Sequence, residues 1–216
     1  MPSALFHPHK PTPAETGLAA RVDELRATVR TLAPAQIAAH AEVEYRPETD
    51  TFHLALFGSP ITLSSPELIA TGPNGSPLPD FIQALLFYYL TTSDGTPLIR
   101  TWVSFADLPG GRMYAQAFQG YSGAELIKAF DPDLDRFRCA CAAAGGHPST
   151  FGDASFAFLA LPRVPLLVNY WLGDEDFPST CQILFDAAAT HSLPIDACAI
   201  LGGMLAGRIV KAGGKL

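Results

Sequence analysis

The sequence predicts an α+β fold: an antiparallel sheet of hairpins packed with several helices in a single domain. Three observations support this. Short β-prone runs come in adjacent pairs, Glu42–Tyr45 with Thr51–Phe57 and Ala154–Leu161 with Leu166–Leu172, which is the pattern of hairpins rather than of strand–helix–strand units. Apolar stretches of helical character stand between the pairs instead of alternating with single strands. Finally, 48% hydrophobic and 16% charged residues over a 216-residue chain supply one full core, at a size where one domain is commoner than two.

Taken in chain order, residues 1–11 are Pro-rich, carry His7 and His9, and are expected to form a flexible arm, with the domain occupying 12–212 and a frayed tail at 213–216. From Thr12-Pro13, Leu18, Val22, Leu25, Val29 and Leu32 recur at four- and three-residue steps, the stripe of an amphipathic helix that Pro34 ends. Packing of that stripe on the domain is favoured, because two heptads are short for a coiled coil. The alternative is a protein partner or a second copy docked through residues 13–33. Ala35–Ala41 adds a short helix. Pro47–Asp50 joins the first two strands, and Gly58-Ser59-Pro60 turns the chain into Ile61–Leu63 to continue a meander. Residues 72–79 are a loop by composition. Asp80–Leu90 has the length and apolarity of a buried central helix, stopped by Ser93-Asp94-Gly95.

Leu98–Phe105, the turn Leu108–Gly111 and the run Met113–Phe118 suggest a second hairpin. Ser122 and Glu125 have capping-box spacing, and Asp131-Pro132 supplies an N-cap and a first-turn proline, so helices are expected over 123–130 and 132–143, closed by Gly145-Gly146. Pro162 and Pro165 break the chain between Ala154–Leu161 and Leu166–Leu172, because neither can donate to a ladder. Cys181–Phe185 is a further strand, and Pro194 opens a helix running to about Val210.

Four blocks in residues 52–210 carry a resemblance. They are Trp102-Val103-Ser104-Phe105 with Leu108–Gly111, Gly152–Phe156, Leu161–Leu166, and Ile183–Asp186 with His191-Ser192-Leu193-Pro194. In this order they resemble the prokaryotic family called domain of unknown function 3786, over about three quarters of the chain. The resemblance implies no activity directly. It does imply a setting, since some members look fused to a small cysteine-rich iron–sulfur module and some occur in corrinoid or anaerobic one-carbon contexts. The four-cysteine run such a module needs is absent here, so iron–sulfur ligation does not carry over.

Charge and hydropathy exclude whole classes of function. A net charge of −7 without any Lys/Arg run lacks the field that gathers nucleic-acid phosphates. The longest apolar stretches, Phe81–Leu90 and Ala197–Leu205, are far short of a membrane span. The first residues lack a secretory pattern, which points to a cytoplasmic protein, and Cys139, Cys141, Cys181 and Cys198 are expected to be reduced thiols.

Among candidate ligands, Asp186 and His191 are the best pair, since both fall between a strand and a helix, where polar residues at loop ends often face a site. A neutral imidazole can ligate the metal of a tetrapyrrole, and a carboxylate can orient it through its other nitrogen. The plainer reading is that Asp186 caps a turn and His191 meets a backbone carbonyl. Tyr88, Trp102, Phe105 and Tyr114 are candidates to line a flat-ligand pocket; the competing account places the aromatics in the core. Cys139 and Cys141 project about 200° apart on a helix and cannot share a metal. His53, His147, Asp153 and the acidic turn Asp174-Glu175-Asp176 are expected to be structural or solvated. No phosphate loop, serine elbow or paired-histidine metal motif is present, so an enzyme would need Asp186, His191 and Asp153 gathered from distant loops. The leading expectation is a non-catalytic binding or accessory protein for an organic or organometallic cofactor, a corrinoid or haem, with His191 on the metal. A structural subunit of a larger complex is the alternative.

Overall fold

A computed structural model describes residues 13–214. The expected arm at 1–11 and the last two residues of the expected tail lie outside the described residues. Helix α1 (Pro13–Thr31) and helix α2 (Pro34–Ala41) open the chain, with Pro34 in the first turn of α2, where its missing N–H costs nothing. Val22, Leu25 and Val29 are 2, 5 and 2% exposed. Their stripe packs on helix α3 (Asp80–Thr92) of the same chain, as the packing reading expects. Arg26 and Arg30 fasten α1 to the far side of the meander by donating to the Leu68 and Pro66 carbonyls.

Strands β1 (Glu44–Arg46), β2 (Thr51–Leu56), β3 (Ser59–Ser64) and β4 (Ile69–Thr71) form an antiparallel meander in that order. The alternation of buried and half-buried residues along β2 is what a sheet with one covered face requires. A second antiparallel sheet is built from β5 (Trp102–Ser104), β6 (His147–Ser149), β7 (Ala154–Leu161), β8 (Val164–Trp171) and β9 (Thr180–Asp186), in the spatial order β5-β9-β8-β7-β6. The expected α+β class holds, with the hairpins divided between two sheets. The sheets meet where the Phe57 N–H donates to the Ala160 carbonyl at 2.9 Å. Helix α3, buried continuously over Ile82–Phe87, is the central helix that its apolarity demands.

Helices α4 (Ala115–Tyr121), α5 (Gly123–Phe130), α6 (Leu134–Ala143) and α7 (Ile195–Gly213) complete the layer. The expected second hairpin does not form. Met113–Phe118 enters a 3-10 turn (Gly111–Tyr114) and then α4, while β5 pairs with β9 instead. Ala115, Phe118 and Ser122 turn inward at three- and four-residue steps, a helical period that tertiary packing rewards over the run's β propensity. Ser122 donates to the Phe118 carbonyl rather than capping α5, and Asp133, not Asp131, caps α6 by accepting from the Arg136 N–H. Strand β8 begins at Val164, so only Pro162 and Arg163 form the turn and Pro165 sits within the strand. Helix α7 runs past Val210 to Gly213. Among the described residues no helix is long and apolar enough to cross a membrane.

Candidate functional site

Strand β9 ends at Asp186, and a 3-10 turn (Ala189–His191) follows before Pro194 opens α7. Asp186 is 2% exposed. Its Oδ1 accepts from the N–H groups of Ile99 at 3.0 Å and Ala188 at 2.9 Å, and its Oδ2 accepts from Arg100 at 2.6 Å. A buried carboxylate is tolerable only with such donors. These bonds pin the segment before β5 against the end of β9 and hold Arg100 at a left-handed φ of 61°. Asp186 is therefore a turn clamp, with both oxygens accepting backbone N–H groups.

The clamped segment carries the true partner of His191. Asp94 Oδ2 lies 2.8 Å from His191 Nδ1, and Thr96 Oγ1 lies 3.2 Å from the same nitrogen. The Asp94 N–H donates to the His191 carbonyl, so the two residues are tied through backbone and side chain alike. Asp94 Oδ1 also accepts the Thr96 N–H at 2.8 Å, closing an Asx turn. Gly95 stands inside it at φ +86°, where a side chain would be strained and its Cβ would press on the His40 ring. The Thr96 hydroxyl, then His191, hold the Asp94 carboxyl well below the usual carboxylate range, so it is an anion at any ordinary pH. An anion only accepts, which places a proton on Nδ1 and, in the neutral ring, leaves the Nε2 lone pair bare. The ring is half-exposed.

Behind the pair runs a chain of polar contacts that is buried at Arg163 and Tyr89. The Thr96 carbonyl accepts from Arg163 Nη1 at 2.9 Å, and Arg163 Nη2 lies 3.1 Å from Glu42 Oε1. The Arg163 N–H donates to the Tyr89 hydroxyl, which itself donates to the Ala41 carbonyl. Burial pushes the Tyr89 phenol far above the ordinary tyrosine range, so it stays a neutral donor. The β7–β8 turn is thereby locked to the loop that holds Asp94.

The other candidates do not converge on His191. Tyr88 accepts from Arg21 Nε on α1. Phe105 is buried, stacked on Phe118 with ring centroids 4.3 Å apart. Trp102 is half-buried beside Asp186 in the sheet register, and Tyr114 is exposed on its 3-10 turn. Among the described residues these four rings do not gather around His191, and of the four only Phe105 lies in the core. Asp153 accepts from the Leu172 N–H at the opposite end of the second sheet from Asp186, so the trio an enzyme would need is not assembled. His53 is held between the hydroxyls of Thr51 and Thr62, a structural role. Among the described residues no three His, Cys, Asp or Glu side chains gather as a metal site. A cleft of about 420 Å³ lies between the two sheets and is lined by none of the six candidates.

The fold and site define a class: an α+β chain of two antiparallel sheets that presents a carboxylate-oriented imidazole where a loop leaving a central helix meets the turn after a strand. Within that class the chain belongs to the family described as Domain of unknown function (DUF3786), whose model matches residues 33–208. The match takes in both sheets and both partners of the Asp94–His191 pair. No curated protein and no solved structure matches the chain.

Proposed function

We propose that the protein is a non-catalytic binding or accessory protein for a tetrapyrrole, a corrinoid or haem, which it holds through His191 Nε2. The observation that carries the reading is the Asp94–His191 pair. With Nδ1–H tied to an anion, the ring is fixed in one tautomer and one orientation, and electron density is pushed towards Nε2, the arrangement that improves an imidazole as a metal ligand. The half-exposed ring favours reversible loading over permanent burial of the cofactor. Titration of the full chain with haem and with a corrinoid, under reducing anaerobic conditions and followed by absorption, tests the reading. A band shift saturating at one equivalent is expected, lost in His191→Ala and weakened roughly 10- to 100-fold in Asp94→Asn. Spectra that do not change with either cofactor, or that change equally in His191→Ala, would overturn it.

A further inference from the structure

The cleft between the sheets is built from the tip of the β2–β3 hairpin (Ala55, Phe57), the β7–β8 hairpin (Phe158, Leu159) and the end of α6 at Ala144. At about 420 Å³ it lies in the range of small-molecule sites. Its walls are apolar, and local backbone turns place them. Phe57 and Gly58, at φ 48° and 76°, form the two-residue turn between β2 and β3, and Glu42, also on the rim, ends α2 at φ 51°; a tight hairpin turn and a helix end both call for this backbone. Gly146 permits the second aromatic wall, since a Cβ there would come 2.5 Å from the Phe158 ring.

Charge at the rim is unbalanced. Glu42 is paired with Arg163. Arg208 is the opposite case: it donates Nε to the Ala144 carbonyl at 2.9 Å and lies over the Phe57 ring at 5.8 Å, so it stands against two lining residues, yet among the described residues it pairs with no carboxylate. His147, also in the lining, adds a ring that can donate a hydrogen bond. An apolar slot flanked by two phenyl rings, with a guanidinium at its edge, complements a flat apolar body ending in an anion. We infer that this cleft binds an aromatic carboxylic acid, its ring system between the sheets and its carboxylate on Arg208. The site is separate from His191 and does not depend on the tetrapyrrole reading.

The test uses the full chain and anilinonaphthalene sulfonate, a flat anion that fluoresces in apolar sites, displaced by naphthoate or by the neutral naphthylmethanol. Naphthoate is expected to compete roughly tenfold better than the alcohol, the factor one charge-assisted hydrogen bond supplies. Arg208→Gln should abolish that preference while leaving the alcohol's binding unchanged. Leu159→Trp, at an exposed strand position on the rim, should weaken both by filling the slot without unfolding the chain, checked by circular dichroism. His191→Ala should leave this naphthoate and naphthylmethanol competition as it is, since His191 does not line the cleft. Equal competition by acid and alcohol in the native chain, or a Leu159→Trp protein that binds both normally, would overturn the inference.

Discussion

Two aspartates shape the site, and only one was legible. Asp186 was singled out from its place between a strand and a helix, and it does govern the loop, but from beneath, by collecting three backbone N–H groups. Replacing it by Ala leaves the buried Ala188 N–H and two part-buried N–H groups without their acceptor, so Asp186→Ala is expected to cost about 2 kcal/mol in denaturant unfolding. Amide exchange at Ile99 and Arg100 should quicken at the same time; protection unchanged from the native chain would show that the clamp is not structural. His191 was recognised by residue type and position. Its partner Asp94 is not legible, because the residues before Thr96 look like an ordinary helix stop and a contact spanning 97 residues leaves no local trace. Phe57 and Glu42 escaped notice for a different reason: a left-handed backbone at a non-glycine residue has no compositional signature.

At the scale of elements, strong periodicity and turn chemistry decided what could be read. Helices α1, α3 and α7 and strands β2, β7 and β9 follow from apolar runs bounded by Pro and Gly. The three-residue strands β4 and β6 are too short to carry a pattern, and they form because neighbouring strands offer open ladders. Glycines mark where elements touch. A Cβ at Gly123 would lie 2.0 Å from the Cys181 carbonyl, so this glycine lets α5 rest directly on β9, whereas a Cβ at Gly207 on α7 meets nothing within 4 Å. The same substitution therefore has opposite signs. Gly207→Ala is expected to stabilise by about 0.5–1 kcal/mol through helix propensity, and Gly123→Ala to destabilise by about 2 kcal/mol or more by pushing α5 off the sheet. Thermal unfolding of both variants checks this, and a matching sign in the two would contradict the packing described.

For the molecule as a whole, composition led to one α+β unit and its hairpins but not to their division between two sheets. That division rests on long-range choices, β5 joining β9 rather than the segment after it, and the β2–β3 tip bonding to β7. It creates both the inter-sheet cleft and the junction at which a loop from α3 meets the turn after β9. The α1 stripe shows the reverse case: the periodicity was plain, but whether it faced a partner or its own domain was settled by α3, whose apolar face needed a cover. The central claim is that this fold presents His191 as a ligand with Nδ1 protonated and Nε2 bare. Long-range proton–nitrogen NMR of the imidazole measures this directly. The account predicts the Nδ1–H tautomer in the neutral ring and a large shift of Nε2 on adding a corrinoid. A His191 protonated on Nε2 when neutral, or an Nε2 resonance unmoved by the cofactor, would contradict it.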